Sequence, residues 1–236
     1  MAALRSLLFN IGFFAWTALI VVAGVPVLLL PHRFTYRLGA VWVRGTLALL
    51  ALLVGLRHRV VGLENRLPGA AIYAVKHQST WDTLVFALLL DEPAYVLKRE
   101  LMLVPFFGWL LGRAGMIPVD RAGKASALRR MMAAARAIAA AGRPLLIYPE
   151  GTRTAPGERR PYQPGVAALY GQLGLPVVPV AVNSGLFWGR RQFVKRPGTI
   201  TVEFLPAIPP GRPRKAFMAE LEDRLETACD RLATQG

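Results

Sequence analysis

The apolar residues are concentrated in the first quarter of the chain. No charged residue lies between Ser6 and Pro31, and a membrane-spanning helix needs about 20 apolar residues. This run therefore predicts a helix that can cross a membrane. A second apolar stretch, 38–56, is interrupted by Arg44, and its uninterrupted part, GTLALLALLVGL, is short for a span. That length is typical of an interfacial or re-entrant helix.

These two segments predict a membrane-associated region over residues 1–58. A signal peptide is the alternative, because Arg5 precedes the first run. Its apolar core would usually be only about 7–15 residues long, and no small-x-small cleavage site clearly follows. Two membrane arrangements stay open. The region could be one span followed by an interfacial helix, or a helical hairpin that enters a single leaflet.

Beyond residue 59, short apolar runs alternate with stretches of helical periodicity, which predicts one domain over residues 59–236. Strands separated by helices indicate crossover connections, and hence an α/β fold with a largely parallel or mixed sheet flanked by helices. The predicted strands are 71–76, 94–98, 115–120, 144–149, 176–182 and 199–205. The predicted helices are 79–90, 101–111, 124–141, 164–174 and 213–233.

Composition and charge indicate a membrane surface as partner. The chain is 54% hydrophobic, has a mean hydropathy of +0.38 and carries a formal charge of +15. Such a charge implies an anionic partner, either nucleic acid or a phospholipid surface. No zinc-ligand spacing, RNA-binding strand or helix-turn-helix signal is present, so no nucleic acid is expected. The basic residues instead flank the apolar segments, as at Arg33, Arg37, Arg57 and Arg59. Their position after each segment predicts a cytoplasmic main domain.

The sequence offers little for metal or disulfide chemistry. Its single cysteine, Cys229, cannot form an internal disulfide. The three histidines, His32, His58 and His77, are scattered, and the first two lie beside the apolar segments. We therefore predict no metal site.

A histidine and an aspartate are spaced for chemistry in HQSTWD, which follows the first predicted strand. In the structural interpretation, Ser79 is the N-cap of a helix, and Asp82 reaches back to the N-cap backbone N–H in a capping box. In the functional interpretation, the chain reversal brings the Asp82 carboxylate to the His77 imidazole. The carboxylate then fixes the tautomer and makes the other ring nitrogen a general base. Lys76 could hold an anionic substrate or simply be exposed at the strand end.

Two further polar motifs follow predicted strands. YPEGTRT, residues 148–154, places a glutamate, a glycine and an arginine together. Glycine lets a backbone N–H approach a ligand closely, and an arginine suits a phosphate group; a polar turn is the simpler interpretation. GMIPVDR, residues 115–121, ends in Asp120 and Arg121, which could also form a surface ion pair.

Together these motifs resemble the glycerolipid acyltransferase family that includes the 1-acylglycerol-3-phosphate acyltransferases. HQSTWD resembles its first block, GMIPVDR its second, YPEGTRT its third and PVVPVAV its proline-centred fourth, in family order over residues 70–185. The length and apolar N-terminus resemble the compact bacterial members. The chain departs from the family pattern at Tyr148, where phenylalanine is commoner, at Pro118, and at Lys76, where asparagine is frequent.

The resemblance implies a mechanism in which His77, oriented by Asp82, deprotonates the free hydroxyl of lysophosphatidic acid. The alkoxide then attacks an acyl thioester directly and gives phosphatidic acid. The donor would be acyl-CoA or acyl-acyl carrier protein, with no other cofactor, and the enzyme would work at the bacterial inner membrane. The implied substrate-binding residues are Glu150, Gly151, Thr152 and Arg153, with Arg121 and Lys98 as further phosphate ligands.

Other functions stay open from the sequence. Glycerol 3-phosphate, another lysophospholipid or a lipid without phosphate could be the acceptor, and a membrane-bound scaffold without activity is a further alternative. A serine hydrolase is disfavoured, because no G-x-S-x-G elbow is present.

Overall fold

The computed structural model describes residues 1–120 and 123–234, and it begins with a helical hairpin. Helix α1 (Ala2–Gly24) is followed by a 3₁₀ turn, and α2 (His32–Leu49) ends in a π turn. The indole N–H of Trp16 donates to the carbonyl of Trp42, which fastens the two helices to each other. With their terminal turns, both helices are long and apolar enough to cross a membrane. The prediction of two apolar N-terminal helices is confirmed.

The hairpin is followed by a seven-stranded sheet in the order β1-β7-β6-β2-β5-β3-β4. Every neighbouring pair is parallel except β6–β7, so the sheet is mixed. The predicted α/β fold with a largely parallel or mixed sheet is confirmed. The strands are β1 (Leu56–Val61), β2 (Ile72–Val75), β3 (Ala94–Lys98), β4 (Ile117–Val119), β5 (Leu145–Ile147), β6 (Val177–Val182) and β7 (Gly198–Phe204).

Helices cover both faces of the sheet, because alternate residues of a strand point to opposite sides. On β2, Tyr73 and Val75 pack into one apolar cluster, which also takes in residues of α1, α3 and the end of α2. Ile72 and Ala74 pack into a second cluster with residues of α5, α6 and α7. The helices after the hairpin are α3 (Asp82–Leu89), α4 (Phe107–Arg113), α5 (Lys124–Ala140), α6 (Pro164–Leu173) and α7 (Arg214–Thr234).

The sequence did not predict strand β1, which lies at one edge of the sheet. Gly55, with φ of 77°, ends the preceding helical turn, a backbone conformation that glycine adopts without steric cost. The chain then pairs with β7 in parallel from Leu56 onward. This strand straddles residue 58, where the sequence analysis placed the end of the membrane-associated region. The sequence pattern did not indicate β1, because an edge strand with one exposed side carries basic residues and lacks a continuous apolar pattern.

Candidate active site

The carboxyl ends of three neighbouring parallel strands form the edge that carries the candidate site. His77 follows the end of β2, Glu150 follows β5 and Ser184 follows β6, and both β5 and β6 pair with β2. Ligands in open α/β sheets bind outside such strand ends. The histidine and glutamate motifs, which each follow a strand, therefore lie at the same edge of the sheet.

The His77 imidazole and the Asp82 carboxylate contact each other, with 3.2 Å between Nδ1 and Oδ2. Asp82 is fully buried, and its Oδ2 also accepts the backbone N–H groups of Gln78 and Ser79, both at 2.7 Å. The hydroxyl of Ser184 donates to Oδ1. A buried carboxylate must be paired or hydrogen-bonded, and Asp82 is satisfied at both oxygens.

The start of α3 differs from the predicted capping box. The helix begins at Asp82 with Trp81 as its N-cap, so the assignment of Ser79 as N-cap was wrong. The Ser79 hydroxyl accepts the N–H of Trp81 at 3.1 Å. The carboxylate does reach back to the Ser79 N–H. The Asp82 carboxylate also accepts the N–H of Gln78, and these two bonds hold residues 78–81 in a tight turn. The helix therefore begins only at Asp82.

The other side of the imidazole lies against Tyr148. The two rings stack with 4.1 Å between their centroids, and the Tyr148 hydroxyl donates to the backbone carbonyl of Asp82 at 2.9 Å. The family's commoner phenylalanine could stack but could not make this bond. The His77 side chain is 13% exposed, so the tyrosine and the carboxylate fix the ring while one edge stays accessible.

The 148–154 loop turns back onto the histidine. Gly151 has φ of 65°, which favours glycine, and the backbone N–H of Thr154 donates to the carbonyl of His77 at 2.8 Å. Arg153 Nη1 donates to the hydroxyl of Thr80 at 2.6 Å. Arg153 is therefore attached to the turn that joins His77 to Asp82.

The surroundings of Arg153 are basic. Partial burial lowers the pKa of its guanidinium, and the nearby charges of Arg190 and Arg191 lower that pKa further, whereas the Asp82 carboxylate raises it. An arginine remains protonated despite such shifts. This partly buried cation with cationic neighbours suits an anionic group of a substrate.

Glu150 and Lys76 form a buried ion pair behind the histidine, which neither interpretation of Lys76 anticipated. Lys76 is 1% exposed and Glu150 2% exposed, with 3.0 Å between Nζ and Oε1. Lys76 Nζ also lies 2.6 Å from Oε1 of Glu226 on α7. The suggestions that Lys76 is an exposed strand-end residue or binds substrate are therefore wrong, because its ammonium group is buried and paired with the carboxylates of Glu150 and Glu226.

The remaining predicted substrate ligands are less closely tied to the histidine. Lys98 is exposed at the end of β3 and lies 3.3 Å from Glu100. The carbonyl of Thr152 accepts the Thr154 hydroxyl at 3.4 Å. Arg121 lies outside the residues that the structure describes. The substrate-binding roles of Glu150, Gly151, Thr152, Arg153, Arg121 and Lys98 stay predictions.

The sequence analysis missed several residues of the site. Ser184 directly follows the PVVPVAV block, and its position after a strand was a signal that could have found it. Arg190 and Arg191 form a visible basic pair. Glu226 gave no signal, because a glutamate on a terminal helix usually faces solvent.

Neither serine at this edge of the sheet is placed to act as a nucleophile. Ser79 and Ser184 are both fully buried, and their hydroxyls are engaged by the Trp81 N–H and by Asp82. Within residues 1–120 and 123–234, no group of three or more His, Cys, Asp or Glu side chains could hold a metal ion. The arrangement suits a general base that acts on a bound hydroxyl.

A family model described as acyltransferase matches residues 57–183, which include the histidine, the aspartate and the 148–154 loop. The chain belongs to the acyltransferase family. This acyltransferase is 37% identical over 199 residues to a 1-acyl-sn-glycerol-3-phosphate acyltransferase of Pseudomonas aeruginosa, with 84% of this chain and 77% of the relative covered.

A plant relative and a solved structure extend the comparison. A 1-acyl-sn-glycerol-3-phosphate acyltransferase of Limnanthes alba is 34% identical over 187 residues, which cover 78% of this chain and 66% of the relative. The crystal structure of the 1-acyl-sn-glycerophosphate acyltransferase PlsC from Thermotoga maritima superposes with a TM-score of 0.80. It covers 98% of both chains at 19% identity, which shows a shared fold that includes the N-terminal hairpin.

Proposed function

We propose that this acyltransferase moves a fatty acyl group from an acyl thioester to the free hydroxyl of lysophosphatidic acid and so forms phosphatidic acid. The observation that carries the proposal is the fixed His77–Asp82 pair. Because Nδ1 faces the carboxylate, the Nδ1–H tautomer is favoured and Nε2 presents its lone pair. No described residue hydrogen-bonds to Nε2.

In the proposed reaction, Nε2 of His77 removes the proton from the acceptor hydroxyl as its oxygen attacks the thioester carbonyl. A carbon–oxygen bond forms, the carbon–sulfur bond breaks, and the imidazolium returns the proton to the leaving thiolate. General base catalysis of this kind typically contributes about 10²–10⁴-fold in rate. Asp82 stabilises the imidazolium, and its own burial is tolerated because both of its oxygens are satisfied.

A phosphate-bearing acceptor is supported by the basic residues around the histidine. Arg153 is held beside the histidine turn by Thr80, and Arg190 and Arg191 add positive charge. Lys98 and Arg121 are further candidate phosphate ligands. The Pseudomonas and Limnanthes relatives are both named as acyltransferases of this acceptor class. The donor is either acyl-CoA or an acyl-acyl carrier protein.

We also place the enzyme on a membrane, with its catalytic domain on the cytoplasmic face of a bacterial inner membrane. Two helices at the N-terminus are apolar enough to enter a bilayer. An acceptor that carries one acyl chain resides in the membrane surface, and a charge of +15 favours an anionic leaflet.

The test is a thiol-release assay with purified protein, an acyl thioester and lysophosphatidic acid in mixed micelles. We expect His77→Ala to lower kcat by about 10²–10⁴-fold, because the general base is lost. His32→Ala is the matched control, since His32 is 58% exposed and pairs only with Glu92 among the described residues; it should retain wild-type activity.

An acceptor panel completes the test. Lysophosphatidic acid should be used with a higher kcat/KM than glycerol 3-phosphate or monoacylglycerol. Absence of His77-dependent thiol release with every acceptor would refute the acyltransferase mechanism. Preference for monoacylglycerol would instead refute the phosphate-bearing acceptor.

A further inference from the structure

The buried ion cluster behind the histidine has no part in the reaction as proposed so far. Lys76 Nζ contacts both oxygens of Glu226, at 2.6 and 2.8 Å, and lies 3.0 Å from Oε1 of Glu150. The hydroxyl of Tyr162 donates to Glu226 Oε1 at 2.9 Å. The lysine and both glutamates are at most 3% exposed, so the ion pairs between them are shielded from solvent.

Burial of these charges costs free energy, so the cluster is expected to serve a role other than stability. Burial alone lowers the pKa of Lys76, but the two carboxylates outweigh it and raise the pKa above its ordinary value. Burial raises the pKa of Glu150. Oε2 of Glu150 has no hydrogen-bond partner among the described residues. The ammonium group is therefore the main compensation for Glu150.

The cluster joins the two motifs that carry the chemistry. Lys76 immediately precedes His77 at the end of β2, and Glu150 opens the turn that leads to Arg153. Glu226 lies on α7, beyond the 57–183 region that matches the family. One ammonium group thus fixes three segments relative to one another: the strand end with the base, the loop with the arginine, and the last helix.

We infer that Lys76 and Glu226 are positioning residues, which set the distance between the His77 imidazole and the Arg153 guanidinium. This inference rests on the proposed function, because it assumes that the base and the phosphate ligand act on one acceptor. The base must meet the hydroxyl while the guanidinium holds the phosphate of the same molecule. A misplacement of about 1 Å from a distant substitution can cost about 100-fold in rate.

The inference is tested with Lys76→Met and Glu226→Gln in the thiol-release assay. Lys76→Met keeps an unbranched side chain that is one atom shorter and removes its charge, and we expect kcat to fall about 10- to 100-fold. The KM for lysophosphatidic acid should rise severalfold, while the KM for the thioester stays within about twofold. Glu226→Gln keeps one oxygen acceptor for the ammonium, so its effects should have the same pattern and a smaller size.

Arg231→Met is the matched control. Arg231 also lies on α7 and also binds both oxygens of a glutamate, Glu203, at 2.7 Å, but that pair lies at the surface. We expect this variant to keep wild-type kinetic constants. A charge-swapped variant, Lys76→Glu with Glu226→Lys, should recover more activity than Lys76→Glu alone.

A purely structural role is separated from positioning by folding measurements on the same samples. Each variant is assayed at least 10 °C below its own thermal midpoint, so that the folded fraction is not limiting. If Lys76→Met or Glu226→Gln lowers the midpoint but leaves kcat and both KM values unchanged, the inference is wrong. Wild-type protein that releases no thiol would contradict the proposed function itself, whereas active wild type with kinetically normal variants contradicts only the positioning role.

Discussion

At the scale of single residues, the Asp82 carboxylate is held by donors from two separated parts of the chain. The N–H groups of Gln78 and Ser79 come from the adjacent turn, whereas the hydroxyl of Ser184 comes from the end of β6. Together these donors fix the orientation of the Asp82 carboxylate toward His77. The two local N–H groups bind Oδ2 of Asp82, and the distant Ser184 hydroxyl binds Oδ1.

Replacing Ser184 with alanine should therefore weaken catalysis without weakening binding. Oδ1 of Asp82 would lose its hydroxyl donor in a buried setting, and the carboxylate would be free to rotate away from Nδ1. We expect kcat to fall about 10-fold, as is typical when a partner of a functional side chain is removed, with both KM values nearly unchanged. Steady-state thiol release measures this.

Ser126→Ala provides the comparison, because that hydroxyl binds the Gly123 carbonyl on the start of α5. It should have wild-type kcat. A Ser184→Ala enzyme with wild-type kcat would show that the two backbone N–H groups suffice to orient Asp82.

The sequence predicted the parts of the site that are close together along the chain. His77 and Asp82 are five residues apart, and the strand-to-helix reversal alone brings them into contact. Ser184 and Glu226 lie 102 and 150 residues from their partners, so no local pattern reports the contacts. The burial of Lys76 was not predicted for the same reason, since its counter-ions come from the turn after β5 and from α7.

At the scale of elements, α1 is attached to the catalytic domain through Lys195, which lies between β6 and β7. The Lys195 Nζ donates to Asn10 Oδ1 at 2.6 Å and lies 5.0 Å from the centroid of the Trp188 ring. The backbone N–H of Lys195 donates to the Ser6 hydroxyl at 2.9 Å. The apolar hairpin is thus fixed to the domain by specific polar contacts, not by apolar packing alone.

Lys195→Met should loosen this attachment. It removes a charged hydrogen bond and cation–π contacts, so we expect the free energy of unfolding to fall by about 1–3 kcal/mol. Urea unfolding in detergent micelles, followed by tryptophan fluorescence, measures the change. Lys215→Met, at an exposed position, should stay within about 0.5 kcal/mol of wild type. Equal stability of both variants would show that the Lys195 side chain does not contribute to holding α1.

Most elements were predictable because their periodicity is strong. The predicted strand 94–98 coincides with Ala94–Lys98, and the predicted helix 124–141 ends one residue beyond Lys124–Ala140. The edge strand Leu56–Val61 was missed because its sequence, LRHRVV, exposes most of its side chains. Its stability comes from pairing with β7, which is a long-range interaction that the local pattern does not contain.

At the scale of the whole molecule, an apolar hairpin is combined with a strongly basic chain. We expect more of the protein to sediment with vesicles that contain anionic lipid than with zwitterionic vesicles. This difference should shrink as salt is raised from about 0.05 to about 0.5 M, because salt screens the attraction between charges. Arg33→Gln with Arg37→Gln, at exposed positions on α2, should reduce the dependence on anionic lipid.

The control removes the same charge elsewhere. Arg129→Gln with Arg130→Gln changes two exposed residues of α5 and should leave vesicle binding closer to wild type. Equal losses in the two double variants would show that net charge, and not the basic residues beside the hairpin, directs the protein to the surface.

The contact between β2 and α7 also has a consequence for synthesis. Lys76 leaves the ribosome 150 residues before Glu226, which at about 5–20 residues per second is roughly 8–30 s. During that interval Lys76, which is buried in the folded protein, lacks the Glu226 carboxylate that binds it most closely. We therefore expect the strand end that bears the histidine to take its final position only after the last helix has emerged, well after the apolar hairpin has been synthesised.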